Sequence, residues 1–166
     1  MKVAKILLLS IAGSASAVAD AQQEGERLFS LKVRRVLSSK CFACHGEEPK
    51  EIKGEFDLTT REGLLKGGES GEPSMVPGKP LASPLYLATT RAHDEDWPAM
   101  PPKENDKLSM VQQALLKRWI ELAAPWPNAE VQVKYIAEER AKPVTSEGML
   151  VETSGGLSDE WTYRRY

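Results

Sequence analysis

Helices joined by long irregular loops are the fold that the sequence predicts, and two stretches carry the prediction. In residues 22–40, charged residues separate apolar side chains that recur at helical spacing, namely Leu28, Phe29, Val33, Val36 and Leu37. A second amphipathic pattern follows Leu108, with Ser109 as a good helix cap, and ends before the Ala-Pro-Trp-Pro segment at 124–127. Between the two stretches, Gly, Ser and Pro predict irregular backbone at 69–84 and 94–102.

Two shorter helices are predicted between these stretches. One covers residues 60–66, with Thr59 or Thr60 as its cap, and the other covers residues 83–88, with Pro84 in its first turn. The long helix after Ser109 is expected to present one face made of Val111, Ala114, Leu115, Arg118, Trp119 and Leu122.

The length and charge of the chain indicate one globular domain. The chain has 166 residues, of which 41% are hydrophobic and 28% are charged. The formal net charge is only −2, and no basic run or basic-aromatic stripe occurs in the interior, so a nucleic-acid partner is not expected.

The N-terminus is typical of a secretory signal peptide at residues 1–19. Lys2 and Lys5 precede a short apolar run, and Ala17-Val18-Ala19 predicts cleavage before Asp20, with Ala19-Asp20-Ala21 as a second option. The apolar run is too short to anchor the chain across a bilayer, so no membrane span is expected after cleavage. The alternative is an ordinary N-terminal core helix. The signal predicts a periplasmic or otherwise exported protein.

The stretch Cys41-Phe42-Ala43-Cys44-His45 contains both cysteines of the chain and one of its two histidines. C-x-x-C-H is the attachment signature of a c-type haem: each thiol can bond one vinyl group, and the adjacent imidazole can bind the iron. A disulfide, an exported thiol oxidoreductase, or a zinc site that includes His93 are the alternatives. The residues before Cys41 look helical, whereas the thiol oxidoreductase motif expects a preceding strand.

A haem held by one histidine needs a sixth iron ligand, and five residues are candidates: Met75, Met100, Met110, Met149 and His93. Met100 is favoured, because the prolines around it restrict the backbone and reduce the entropy lost on ligation. His93 and Met75 remain rivals. Trp97, Arg91 and Lys103 are possible partners of the haem propionates, although ordinary packing or solvent exposure is the default for each.

The motifs together resemble the planctomycete-type cytochrome c domain, a relative of the class I cytochromes c. The resemblance covers about residues 24–127 and rests on a helix ending in Cys41-Phe42-Ala43-Cys44-His45, then Val76-Pro77-Gly78-Lys79-Pro80, Ser83-Pro84-Leu85-Tyr86, Met100-Pro101-Pro102, Leu108-Ser109, Trp119-Ile120 and Ala124-Pro125-Trp126-Pro127. It implies an all-α, class I cytochrome c-like haem domain whose N- and C-terminal helices cross near the attachment loop. It also implies one covalent haem c on Cys41 and Cys44, with His45 as proximal and Met100 as distal iron ligand.

The expected organisation is a signal peptide at 1–19, a cytochrome c domain at 22–127 and a C-terminal extension at 128–166. Residues 129–141 stay open between helix and strand, and the rest of the extension is expected to be partly disordered or to dock on a partner. Family members often carry further large domains, so we expect either a stand-alone cytochrome or a truncated relative. The aromatic end of the chain, with Trp161 and Tyr163, is a candidate remnant of such a junction.

The expected function is single-electron transfer to redox partner proteins in the exported compartment, with no catalytic residues. Whether the carrier serves as a subunit of an oxidoreductase stays open. Two alternatives remain: a haem enzyme or sensor with a labile sixth ligand, in which His93 could act as an acid-base group, and a haem-stabilised docking module.

Overall fold

The computed structural model describes residues 12–46, 52–92 and 97–142, with side chains from Ala17 onward. Within these ranges the regular secondary structure is helical and contains no strand, which confirms the all-α prediction. The helices are α1 (Ala12–Leu28), α2 (Arg34–Lys40), α3 (Phe42–His45), α4 (Arg61–Lys66), α5 (Pro84–Thr90), α6 (Met110–Glu121) and α7 (Ala129–Ala141).

The N-terminal helices α1 and α2 are joined without a break by a π-helical turn, Phe29–Val33. The two residues that flank this turn, Leu28 and Arg34, keep right-handed helical backbone angles. The predicted helix at 22–40 is therefore observed, although it starts earlier and includes a local change of pitch. The turn contributes Phe29 and Val33 to the core, and α2 contributes Val36 and Leu37.

Local capping explains where the shorter helices begin. The Thr60 hydroxyl accepts a hydrogen bond of 3.0 Å from the Gly63 N–H and starts α4, as predicted. Pro84 occupies the first position of α5, where its missing N–H costs no hydrogen bond. Single 3₁₀ turns at Lys53–Glu55, Pro80–Ala82 and Glu104–Asp106 shape the loops between the helices.

Helix α6 begins at the predicted cap but buries a different face from the predicted one. Ser109 and Gln112 form a reciprocal capping box at its start. The buried side chains are Leu116, Trp119 and Ile120, whereas Val111 and Ala114 are exposed. The predicted face was therefore partly wrong. Apolar residues occur on two sides of the first turns of α6, and the side that packs against the π-helical turn is the one that becomes buried.

The core centres on three aromatic rings near the end of α6. The ring of Phe29 lies 5.5 Å from Trp119 and 4.4 Å from Trp126, measured between centroids. Trp119 is fully buried, and its Nε1–H donates a 2.9 Å hydrogen bond to the carbonyl of Pro125. Trp119 therefore packs on Phe29, and its polar atom is satisfied inside the core.

Helix α1 crosses the end of α6 at Gly25. A methyl group at Gly25 would lie 2.5 Å from Cγ of Pro125 and 3.1 Å from Cβ of Leu122. Because such distances are shorter than any ordinary carbon contact, only glycine permits this approach of the two segments. The crossing of N- and C-terminal helices expected from the family resemblance is thus observed for α1 and α6.

Helix α7 settles the open assignment of residues 129–141. The Asn128 side chain caps it by accepting a 2.9 Å hydrogen bond from the Val131 N–H. Tyr135 is buried against α1, where the Arg27 guanidinium lies 5.7 Å from the ring centroid. Arg27 also pairs with Glu138 at 3.1 Å and with Glu139. The first part of the predicted extension therefore packs on the helical core, while residues 143–166 lie outside the described part.

Candidate cofactor site

The two cysteines and the histidine of the C-x-x-C-H motif lie within one helical turn. The Cys41 N–H donates to the Leu37 carbonyl at 2.8 Å and ends α2, and the Cys41 carbonyl accepts bonds from the Cys44 and His45 N–H groups at 3.1 and 3.0 Å. Cys41 is the N-cap of α3 and Cys44 lies three residues later, so the two cysteines are separated by less than one helical turn. The geometry follows from the local sequence and from the helix that precedes it.

Both cysteines are free thiols in the structure, and their surroundings differ. Cys44 is exposed, whereas Cys41 is partly buried and packs against the core. Burial, with a smaller contribution from Cys44, raises the pKa of the Cys41 thiol to about 12. Cys41 therefore stays a neutral thiol at physiological pH, which makes it a poor candidate for thiol–disulfide exchange, because that chemistry needs a thiolate.

His45 has a side-chain nitrogen that the fold does not use. Its Nδ1 atom is buried and has no hydrogen-bond partner among the described residues. The imidazole ring lies 5.3 Å from the ring of Phe56 in an edge-on arrangement. An unpaired buried nitrogen costs free energy, so an imidazole in this position is suited to take up a further bond.

The loop after His45 fixes the orientation of its backbone. The His45 carbonyl accepts a 2.8 Å hydrogen bond from Leu58, whose side chain is buried. Asp57 closes a small turn by accepting bonds from the N–H and the hydroxyl of Thr59, at 2.8 and 2.6 Å. Gly46 has φ +151°, and a methyl there would lie 2.3 Å from Cγ2 of Thr59. Glycine is therefore required directly after the histidine.

The candidate sixth ligands lie in different environments. Met75 is fully buried in the hydrophobic core, whereas Met100 lies in a loop and is 36% exposed. Met110 is the first residue of α6 and points away from the core, with 86% of its surface exposed. His93 and Met149 lie outside the described residues. Of the three described methionines, Met100 alone combines partial exposure with a backbone held by tertiary contacts.

The Met100 loop is attached to the end of α5. The Met100 N–H donates a 3.0 Å hydrogen bond to the carbonyl of Ala88, and the Met100–Pro101 peptide bond is cis. Arg91, one residue beyond α5, donates to the carbonyls of Pro101 and Lys103 and pairs with Glu104. Sequence reasoning considered Arg91 only as a propionate partner and missed this contact with the loop.

The residues present fit a covalently attached haem. Two free thiols lie within a single turn, and the neighbouring imidazole has a buried nitrogen with no hydrogen-bond partner in the part of the chain that the structure describes. Of the expected propionate partners, Arg91 has a buried Nε atom with no hydrogen-bond partner within the described ranges, and Trp97 is partly buried. Among the residues that the structure describes, no three His, Cys, Asp or Glu side chains cluster in a way that could hold a metal ion directly.

The C-x-x-C-H motif opens a segment that is similar to a known family. Residues 41–104 match the family model described as Planctomycete cytochrome C. This match supports the resemblance to the planctomycete-type cytochrome c domain that the motifs indicate, for the matched segment. The matched segment begins at Cys41 and includes Met100, and the family implies haem c as the cofactor. No curated protein and no solved structure matches the chain.

Proposed function

We propose that the protein is an exported monohaem cytochrome c that carries single electrons. Thioether bonds to Cys41 and Cys44 would hold one haem c, with His45 as the proximal and Met100 as the distal iron ligand. The observation that carries the proposal is the geometry of the turn 41–45, which contains two free thiols and an imidazole whose buried Nδ1 has no hydrogen-bond partner among the described residues. That turn opens the segment that matches the cytochrome family.

Cys41, Cys44 and His45 each have a distinct task in this proposal. Cys41 and Cys44 attach the ring at two points, so the cofactor cannot dissociate when its charge changes. His45 follows the second thiol directly and is held by the Leu58 hydrogen bond to its carbonyl. The haem supplies the one-electron redox couple, and the protein tunes it through the axial ligands and their surroundings.

Met100 is the better distal ligand because Met75 already serves the core. Moving a buried methionine side chain out of an apolar environment costs about 1.5–3 kcal/mol, and Met75 is fully buried. Met100 is available on its loop, and hydrogen bonds at Met100 and the following residues limit the loop's freedom before any ligand is bound. A thioether ligand raises the reduction potential, and six-coordinate iron suits electron transfer.

Export and the charge of the redox partner are proposed from the N-terminal sequence and the net charge. Removal of residues 1–19 would take Lys2 and Lys5 and change the net charge from −2 to −4. The proposed cleavage site at Ala17–Ala19 is exposed on α1. Among the described residues, no helix is both long and apolar enough to cross a bilayer. We therefore expect redox partner proteins in the exported compartment, docking through a basic rather than an acidic surface.

The ligand assignment is tested by replacing each methionine with leucine in the haem-loaded protein. Met100→Leu is expected to abolish the visible absorption band of the ferric protein that reports the iron–thioether bond. Met75→Leu nearly conserves side-chain volume, so it should keep both the fold and the band. If Met75→Leu loses the band and Met100→Leu keeps it, Met75 is the ligand and the assignment of Met100 is wrong.

Binding of carbon monoxide to the reduced protein distinguishes an electron carrier from a haem enzyme or sensor. The reduced protein is expected to bind carbon monoxide slowly and weakly, because Met100 occupies the sixth position. Rapid stoichiometric binding to the wild-type protein would instead indicate an open position and a haem enzyme or sensor. Covalent attachment is checked by denaturing electrophoresis with a haem stain, in which a Cys41→Ala, Cys44→Ala double variant should lose the stained band.

A further inference from the structure

Arg91 joins the end of α5 to the loop that carries Met100. It adopts a left-handed backbone conformation, φ +58° and ψ +18°, which is uncommon for a non-glycine residue. Its guanidinium donates to the carbonyl of Pro101 at 2.5 Å and to that of Lys103 at 3.1 Å, both from Nη2. Because these carbonyls lie one and three residues after Met100, the contacts hold the chain just beyond the proposed ligand.

The same helix end also contacts Met100 itself. The Met100 N–H donates to the Ala88 carbonyl at 3.0 Å. Behind these residues, the Gln113 side chain donates to the Thr89 carbonyl at 3.1 Å and ties the end of α5 to α6. The loop is thus attached to α5 at Met100 and after it, and α5 is attached to α6. Removal of the guanidinium would take away two of the hydrogen bonds from the end of α5 to the described part of this loop and leave the backbone bond from Met100 to Ala88.

The carbonyl contacts carry more of this attachment than the ion pair does. The Arg91 side chain is 23% exposed, whereas its partner Glu104 is 64% exposed. Ion pairs with one highly exposed member are screened by water and contribute little. Hydrogen bonds from a charged donor to carbonyls in a partly buried site are stronger than neutral ones.

We propose that Arg91 is a positioning residue that keeps Met100 on the iron by holding its loop closed. The inference rests on the proposed His/Met ligation. An external ligand can reach the sixth position only when the Met100 loop opens, so the opening equilibrium sets how fast and how tightly it binds. Loss of two charge-assisted hydrogen bonds should raise the open fraction about tenfold or more.

The test uses the haem-loaded full chain and imidazole as the external ligand. Arg91→Asn removes the guanidinium, and asparagine tolerates the left-handed backbone at this position. Imidazole should bind ferric Arg91→Asn about tenfold faster and more tightly than wild type. The thioether band should persist without imidazole. Arg91→Lys should be intermediate, because the shorter side chain keeps the charge but has one nitrogen in place of the two that contact the carbonyls and Glu104.

Two control variants separate loop positioning from general effects of charge and stability. Glu104→Gln removes the ion pair but leaves the carbonyl contacts, so its imidazole binding should stay close to wild type. Arg118→Asn removes a guanidinium from an exposed pair with Glu24 between α6 and α1, and it should leave imidazole binding unchanged.

The possible outcomes distinguish this inference from the proposed function. If Arg91→Asn leaves imidazole binding unchanged while Met100→Leu abolishes the thioether band, the positioning role is wrong and the ligand assignment stands. The same conclusion follows if Arg91→Asn only lowers the unfolding temperature. If Met100→Leu leaves the band intact, Met100 is not the ligand, and both proposals fail.

Discussion

The close crossing of α1 over the end of α6 makes Gly25→Ala a sharp test of the fold. The added methyl would lie 2.5 and 2.9 Å from Cγ and Cδ of Pro125, and 3.1 Å from Cβ of Leu122. The proline ring is buried and cannot rotate aside, since it is fixed to its own backbone. Relief of the overlap therefore requires a shift of α1 or of the segment after α6.

Two opposing effects determine the sign of the change in stability. Alanine is favoured over glycine inside a helix by about 0.5–1 kcal/mol. Overpacking of a close contact costs about 1–3 kcal/mol. We expect the clash to prevail and the unfolding free energy to fall by about 1–2 kcal/mol, which lowers the midpoint temperature by roughly 4 °C.

The assay is urea unfolding followed by the helical circular dichroism signal, combined with a double-mutant cycle. Pro125→Ala removes the ring that the new methyl would meet, so Gly25→Ala should cost less in that background than in the wild type. The coupling between the two positions is the quantity of interest. If Gly25→Ala alone stabilises the protein, the helix propensity prevails and the crossing is wider than described.

Three further predictions concern single positions. Ala123→Gly should stabilise the protein by about 0.5–1 kcal/mol in thermal unfolding, because exposed Ala123 has φ +65°; Ala124→Gly should gain less, since it removes a buried methyl. Gly46→Ala should destabilise the protein by about 2–4 kcal/mol through backbone strain and the overlap with Thr59, and a haem stain should show less attached cofactor per chain. Burial raises the pKa of Tyr135, and the Glu26 carboxylate raises it further. The stabilising contribution of the neutral phenol is therefore complete below the ordinary tyrosine pKa of about 10 and is lost as the pH rises through the pKa of the folded state. Tyr135→Phe should accordingly flatten the fall in unfolding temperature between about pH 9 and 11.

The positions of the helices could be predicted where the signal is local. Thr60 and Ser109 each place a hydroxyl where the first turn of a helix needs an acceptor, and Pro84 fits only the start of a helix. The π-helical turn at Phe29–Val33 has no such local signal. It depends on which side chains meet α6 and α7, and those contacts join residues far apart in the sequence.

The predicted faces of helices were less reliable than their positions. Val131, Val133 and Tyr135 alternate like a strand, yet they belong to α7, and Val133 is 65% exposed. What holds α7 is Tyr135 together with the contacts of Arg27 to Glu138 and Glu139. Hydrophobic periodicity misses a helix whose docking depends on one aromatic ring and on ion pairs.

In the candidate site, too, features set by neighbouring residues could be predicted, whereas contacts between residues far apart in the sequence could not. All three residues of the C-x-x-C-H motif lie in one turn, so their spacing in the sequence already determines their spacing in space. The choice between Met75 and Met100 rested on the prolines beside Met100, and the burial of Met75 adds an independent reason. The contact of Arg91 with the Met100 loop could not be predicted, because it depends on a left-handed residue and spans ten to twelve positions.

The two proposed iron ligands are therefore held by structures of unequal rigidity. His45 follows directly from α2, whose residues Val36 and Leu37 are part of the core, and displacing it would disturb core packing. Met100 lies on a loop whose attachment consists of hydrogen bonds to the end of α5, and local opening of such a segment costs less than global unfolding. An external ligand should consequently replace Met100 rather than His45. Because of this difference, a substitution at Arg91, unlike one at a core residue, should weaken the ligation by Met100 without unfolding the domain.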